Sequence, residues 1–547
     1  MSDAHRAGGA PSMVTRTGRA PGPMRVAAAA LAIAVGVLAG CAATPNPAYD
    51  DSPVAVEADL KRARETSVFG PATDFTASAF VDVGSTELYP VREPDECEVA
   101  VPPFGEDSFA VRLDALKQAT TSIRIQALVF KGDETGLRIA EVLKQKKAEG
   151  LDVRVIVDAF SNPWLQTQWM LFDLKQHGIE VEGYEALWLQ WINEVPVPKA
   201  MPHFDPKRPD KRFHEKLWIV DGGTDHAIAL TGGLNIGNLY FRADPENPDD
   251  YWRDQDVVLR GAVIQDLVAA FDHTFDYLVA IKKSRGIFNT NLYWGATRRL
   301  LDKTGKFPVV YRTQPRVVEH VMQMEGNLPT LAFAASRCRF LHSRPRMQEN
   351  YIREAYLKII AAAREELLIA NAYFVPTARI KAALRDAAMR CVSITLVTNS
   401  PATNDLPEIS LVGRGYYAEL LAFNDLPEVR RCTQPHAGIH IWEWIGVEPG
   451  GDAPHYGTMH SKFAVVDRRL SLVGSYNLDP RSARLNSETA LVFENPGLAA
   501  VLARSILDYD LRFSDEVSPA EAAEFASPRD TIKRFRTQLG RAFEGEL

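Results

Sequence analysis

One order of elements occurs twice in this chain, and that repetition constrains the fold more than any other feature. The stretch "FAVRLDALKQA" from residue 109 has helical spacing and "TSIRIQALVF" reads as a strand. "TGLRIAEVLKQKKAEG" then forms an amphipathic helix pattern ending at Gly150, and "LDVRVIVD" is a valine-rich strand. After residue 350 the order returns as "YIREAYLKIIAAAREE", "LLIANAYF", "TARIKAALRDAAMR" and "CVSITLVTNS". Strands alternating with helices of this length predict an α/β fold, with a mostly parallel or mixed sheet covered by helices on both faces. At 547 residues the chain also exceeds what one core organises. Two similar α/β domains are therefore expected, at 106–300 and 350–547. A connecting region spans 301–349, and the second domain ends in a helical tail.

Each copy carries the same polar pattern. "HEKLWIVD" supplies His214, Lys216 and Asp221, while "HSKFAVVD" supplies His460, Lys462 and Asp467 at identical spacing. A glycine turn with an asparagine follows each, "TGGLNIGN" around Asn235 and "VGSYNLDP" around Ser475 and Asn477. The first copy reaches its turn four residues later, through "GGTDHAI", which predicts a longer hairpin. On a strand of period two, His214 and Lys216 share a face, as do His460 and Lys462. Asp221 and Asp467 then face the other way, in supporting roles.

These residues resemble the phospholipase D superfamily, whose H-x-K-x(4)-D-x(6)-G-S-x-N motif the second copy matches in full. The first copy departs, with ten residues before its glycine and Gly233 in the serine position. The resemblance covers about 106–497. It implies one pseudo-twofold body with both motifs meeting at a central cleft, and His214, Lys216, Asp221, His460, Lys462 and Asp467 as the catalytic set.

Two histidines and two lysines facing one cavity suit a phosphodiester. One neutral imidazole attacks phosphorus, a protonated one supplies the departing alkoxide with a proton, and the lysines and asparagines stabilise the non-bridging oxygens. This scheme needs no metal and no cofactor. Spacing does not choose between the histidines; the resemblance implies His214 as nucleophile and His460 as general acid. Each imidazole also needs an orienting acid on its other nitrogen. Asp254 in "RDQDVVLR" and Glu488 in "NSETALVF" sit in matching contexts and are the expected pair. The alternative for Asp254 is a surface turn with Arg253 and Asp256.

The N-terminus reads as an export signal, with Arg25 before an apolar run from Val26 to Ala39 and then Gly40 and Cys41. "LAGC" resembles a bacterial lipoprotein signal, which implies cleavage before Cys41 and lipidation there. Residues 41–105, rich in Pro, Asp and Glu, are expected to be an irregular tether. Ala42, in place of an acid, favours an outer-membrane anchor facing the periplasm. In that oxidising compartment Cys97, Cys338, Cys391 and Cys432 allow three full pairings, and their spacing gives no zinc pattern. Cys391 is expected as a small buried side chain.

The net charge of −8 falls to −11 for a chain beginning at Cys41, because residues 1–40 hold four Arg and one Asp. That balance opposes a general polyanion partner, so no specific nucleic acid is expected. A local stripe of Lys207, Arg208, Lys211 and Arg212 fits a phospholipid headgroup or a nucleic-acid backbone equally. Trp164, Trp169, Trp188 and Trp191 precede it and suit either a membrane interface or ordinary packing.

More finely, "GSYNLDPRSARLNSE", "TGGLNIGNLYF" and "YWRDQDVVLRG" look like the bacterial cardiolipin synthases of this superfamily. That resemblance implies phosphatidyl transfer between membrane phospholipids, to phosphatidylglycerol. The alternatives are hydrolysis to phosphatidic acid, a nuclease, or a binding protein without turnover. Arg481 and Arg484 either meet a second phosphate or neutralise local acids. An accessory protein and the oligomeric state are left open.

Overall fold

A computed structural model describes residues 50–75, 88–158, 161–184, 212–285, 311–345, 349–448 and 456–526. Cys41 and the signal lie outside this set, as do Trp188, Trp191, Lys207, Arg208, Lys211 and the chain beyond 526.

The first half supplies strands β1 (Glu98–Ala100), β2 (Ser122–Ala127), β3 (Asp152–Asp158), β4 (Glu180–Tyr184), β5 (Leu217–Val220), β6 (Ile228–Gly232), β7 (Asp256–Arg260) and β8 (Ala334–Ala335). They form one sheet in the order β4-β3-β2-β5-β6-β7-β1-β8. The second sheet holds β9 (Arg337–Ser343), β10 (Glu366–Asn371), β11 (Ser393–Asn399), β12 (Gly438–Trp444), β13 (Lys462–Val466), β14 (Leu470–Gly474), β15 (Glu488–Glu494) and β16 (Ser514–Glu516). Its order is β16-β12-β11-β10-β13-β14-β15-β9. The run β4-β3-β2-β5-β6-β7 thus has a strand-for-strand counterpart in β12-β11-β10-β13-β14-β15.

The expected helices form at Gly105–Gln118, Glu134–Ala148, Tyr351–Ala362 and Ala378–Met389. Asp133 caps the second of these, its carboxylate accepting from the Gly136 N–H. Of the two forms expected, mostly parallel or mixed, the sheets are mixed. Only β2-β3-β4 and β10-β11-β12 run parallel. Every other ladder is antiparallel. The βαβ units are real, but β5–β6 and β13–β14 are joined by connections too short for a parallel crossover. The β5–β6 connection is the longer by four residues, as its sequence predicts.

The sheets pack against each other, with β6 and β7 meeting β14 and β15. Their shared core takes Leu217, Ile219, Ala229 and Val257 from one sheet and Phe463, Val465, Val473 and Leu491 from the other, all buried. Helices cover the outer faces through separate cores. Both His-x-Lys segments consequently enter the layer between the sheets.

Three expectations about the flanking regions are corrected. Residues 50–75 are not an irregular tether: Pro53–Glu65 is a helix whose Val56, Leu60 and Ala63 bury against the second half. Asp51 and Asp59 pair with Arg379 at 2.7 and 2.6 Å, adding charge to that contact. The connecting region is split between the halves, since Pro315–Gly326 packs on the first while β9 is an edge strand of the second sheet. Finally, Cys391 is half-buried and disulfide-bonded to Cys432, so it is not a simple core side chain. The other pair, Cys97–Cys338, joins the chain beside β1 to β9 and so ties the two sheets together.

Candidate active site

Both His-x-Lys segments sit just before a strand, and each pairs with the opposite half. The Phe213 segment bridges Ser487, and the His214 N–H donates to the Ser487 carbonyl at 2.9 Å. Met459 bridges Arg253, and the His460 N–H donates to the Arg253 carbonyl at 2.6 Å. This exchange sets each histidine beside the acid of the other copy. His214 Nδ1 lies 2.8 Å from Glu488 Oε2, and His460 Nδ1 lies 2.6 Å from Asp254 Oδ2. With Nδ1–H given to a carboxylate, each imidazole presents its Nε2 lone pair. Asp254 and Asp256 are both buried, which rules out the surface turn. Asp256 instead pairs with Arg112 at 2.7 Å.

Four catalytic-type side chains, His214, Lys216, His460 and Lys462, are brought together and buried. Lys216 Nζ donates to the His214 carbonyl at 2.5 Å, and Lys462 Nζ likewise donates to the His460 carbonyl. Burial pushes Lys216 down to about 7 and Lys462 down to about 8, with nearby carboxylates opposing the shift. Burial also drives His214 down to about 4, Glu488 opposing and the two lysines assisting. His460 falls well below its ordinary value through burial, Lys462, Lys216 and His214. Burial therefore favours the neutral form of both imidazoles.

Asp221 and Asp467 are placed elsewhere. Each ends its strand with a positive φ, 53° and 48°. Asp221 accepts from the N–H groups of Thr120, Thr121 and Ser122, and Asp467 from those of Arg364, Glu365 and Glu366. They anchor the start of β2 and β10 and do not reach the imidazoles. Asn235 accepts from the Val129 N–H at 3.1 Å and donates to the Tyr240 hydroxyl at 3.0 Å. Asn477 is buried with Oδ1 unpartnered, which leaves it an acceptor to offer.

Gly233 departs from the motif for a steric reason. A Cβ there would stand 1.9 Å from Asp254 Oδ1. In the second half Ser475 fits and donates its hydroxyl to Glu488 Oε2. The longer glutamate carries its carboxylate away from the turn, so Gly with Asp and Ser with Glu are two solutions to one packing problem.

Several site residues carry no signal in one copy alone. Ser482 donates to Glu488 Oε1 at 2.8 Å, and Asn486 reaches the same oxygen at 3.4 Å. Around His460 stand the rings of Trp252, Tyr240 and Tyr373, at 5.1, 5.5 and 6.2 Å between centroids. Tyr373 donates to Asp405 at 2.6 Å. Tyr240 and Ser482 both lie five residues after the motif asparagine, so aligning the two copies exposes the difference. Glu215, between His214 and Lys216, is buried on the opposite side with His342 at 2.7 Å.

Elsewhere, Trp164 is exposed, Trp169 half-buried, and Arg212 buried. Arg484 pairs with Asp51. Among the described residues, no three His, Cys, Asp or Glu side chains converge to hold a metal ion, and no helix is long and apolar enough to cross a membrane.

Two α/β halves exchanging strand ends around paired His-x-Lys segments define a phospholipase D-type protein. Residues 113–257 and 356–508 each match the family described as "Cardiolipin synthase, PLD-like domain", and the chain belongs to that family. Similar curated proteins include the cardiolipin synthase of Geobacillus thermodenitrificans, 26% identical over 72% of this chain and 62% of that protein. The probable cardiolipin synthase YwiE of Bacillus subtilis is 25% identical over 81% of this chain and 71% of that protein. The chain thus spans roughly two thirds of the length of these relatives. Among solved structures, phosphatidylserine synthase of Haemophilus influenzae Rd KW20 superposes with a TM-score of 0.55 at 15% identity, covering 84% of this chain and 97% of that one. That likeness is one of fold.

Proposed function

We propose that this protein is a phosphatidyltransferase that passes a phosphatidyl group from one membrane phospholipid to the hydroxyl of phosphatidylglycerol, a cardiolipin synthase-type reaction. The observation that carries this reading is the exchanged pair of His–acid contacts, which holds two imidazoles at Nδ1 in one layer beside two lysines. The relatives named cardiolipin synthase support the substrate class.

His214 Nε2 attacks phosphorus, the bond from phosphorus to the leaving oxygen breaks, and His460 gives that oxygen a proton. His460, now neutral, takes the proton of the incoming hydroxyl; its oxygen bonds to phosphorus as the phosphorus–nitrogen bond breaks, and His214 is restored. Lys216, Lys462 and the side-chain amide N–H of Asn477 stabilise charge on the phosphoryl oxygens. A phosphodiester between the lysines offsets their mutual repulsion and the desolvation that keeps His460 neutral. Substrate thereby favours the protonated acid.

Glu488, rather than Asp254, supports the nucleophile. Burial opposes its charge, but His214, Lys216 and Ser475 more than offset that and hold its carboxyl below the ordinary value. A fixed carboxylate stabilises the positive imidazole that forms when phosphorus is attached. Asp254, by contrast, is pushed up to about 6 by burial, against the pull of Lys462 and the Gln255 N–H. That raised acid pairs with the histidine whose task is to release and recover a proton.

The N-terminal pattern supports an exported lipoprotein anchored through Cys41, which would meet phospholipid at high local concentration. Incubation with mixed phosphatidylglycerol and phosphatidylethanolamine vesicles, in parallel with plasmid DNA, tests the reading. Cardiolipin is the expected product. Phosphatidic acid alone would make the protein a hydrolase, and nicked DNA without lipid turnover would overturn the lipid assignment. Mass spectrometry of the mature N-terminus tests lipidation.

A further inference from the structure

A cavity of about 430 Å³ opens at the end of the second sheet remote from His460, where β13 turns into β14. Five cations line it, Arg64, Arg337, Lys358, Arg364 and Arg469, against one lining carboxylate, Glu494. Three of the five are already matched: Arg64 with Glu57 and Asp386, Arg337 with Glu93, and Arg469 with Glu494. Lys358 and Arg364 are not, for neither side chain has a carboxylate within 4.0 Å among the described residues. Lys358 is 2% exposed, and among the described residues its ammonium meets the Thr66 hydroxyl and, at 5.0 Å, the Phe75 ring. Arg364 donates to the Ala361 carbonyl at 3.3 Å and otherwise faces the cavity. Beside them Arg339, also buried, donates from Nη1 to the Val68 and Gly70 carbonyls.

A buried ammonium whose nearby carboxylates, Asp74 and Glu354, stand beyond ion-pair distance is only partly compensated, and an anion in direct contact would offset the rest. Burial accordingly pushes Lys358 down to about 8, with Asp74 and Glu354 opposing. We propose that this pocket binds a phosphate-bearing anion, held by Lys358 and Arg364 and walled by the turn after the Pro53–Glu65 helix. The site is separate from the catalytic cleft, and the proposal does not depend on the reaction assigned there. A phospholipid headgroup and a soluble phosphate present the same chemistry to these two cations.

The test is calorimetric titration of the full chain with inorganic phosphate, beside co-sedimentation with phosphatidylcholine vesicles containing phosphatidylglycerol. Wild type should bind phosphate at two sites, the catalytic lysines and this pocket. Arg364→Gln and Lys358→Met should each retain the catalytic site, with unaltered turnover, and weaken the other at least about tenfold. Parallel loss of vesicle binding identifies a lipid headgroup as the source, and unaltered vesicle binding identifies a soluble phosphate; both support the pocket. Unchanged phosphate stoichiometry and affinity in Arg364→Gln, an exposed position whose substitution leaves the core intact, would overturn it.

Discussion

The two halves share strand order, motif spacing and disposition of the histidines, yet they surround those histidines with opposite chemistry. His214 faces a carboxylate satisfied by hydroxyl and amide donors from Ser475, Ser482 and Asn486. His460 faces Asp254 within a wall of Tyr240, Trp252 and Tyr373. Donors lower a carboxyl and desolvation raises it, so the same motif yields one fixed negative charge and one acid near neutrality. A duplicated fold can therefore divide the labour of nucleophile and acid through the surroundings of one shared His-x-Lys pattern, the serine-to-glycine change at the turn included.

Replacing either histidine should produce the largest effect. His214→Asn and His460→Asn are each expected to lower turnover of natural lipid by about a thousandfold or more, measured by cardiolipin formation. The orienting acids come next and separate the halves. Glu488→Gln should cost about a hundredfold in kcat, and Asp254→Asn about tenfold, with a changed acid limb of the pH profile. Equal losses with identical profiles would remove the distinction.

The turn residues should follow the same logic at smaller scale. Gly233→Ser forces a Cβ into the space of Asp254 and should cost more than Ser475→Gly, which removes one donor from Glu488. Steady-state kinetics on both variants decides this, and the reverse order would break the packing account.

In the pH dependence of kcat/KM, loss below about pH 4 is expected as His214 protonates, and loss above about pH 7 to 8 as Lys216 and Lys462 lose their charge. Lys216 carries a stability consequence with a definite sign. Its folded pKa lies below the unfolded one, so the folded state binds fewer protons between about 7 and 10.5, and stability rises with pH across that window. The penalty for burying the charge is fully present below about pH 7. Lys216→Met should thus raise Tm at pH 6 while abolishing turnover, and a lowered Tm there would contradict the assignment.

The smallest comparison concerns the cross-links. Cys97–Cys338 closes 241 residues between the sheets and Cys391–Cys432 closes 41 within one. Chain entropy makes removal of the first costlier by about 1 to 2 kcal/mol, readable from denaturant unfolding of the two double-serine variants.

Much of this arrangement is legible before any coordinates. Hydrophobic periodicity and the duplicated order locate the βαβ units, and the acids at 254 and 488 stand in matching contexts in the two copies. What periodicity does not carry is partner choice. The strand ends cross between halves, so His214 meets Glu488 across 274 residues, and no local pattern encodes that exchange. The antiparallel majority was likewise hidden, because ladder direction depends on connection length and not on composition. The helix at Pro53–Glu65 follows an acidic, proline-bearing stretch, and its buried face is only three residues deep, too weak a signal against that background. Aspartates 221 and 467 belong to the motif yet act on backbone N–H groups, a role that motif spacing does not distinguish from chemistry.

The division of labour between the halves is tested most directly by trapping the covalent intermediate. A phosphodiester with an activated leaving group needs no proton from an acid, so in single-turnover quench-flow the His460→Asn variant should still form phosphohistidine, at residue 214. His214→Asn should form none. Intermediate in both variants, or in His214→Asn alone, would contradict the account.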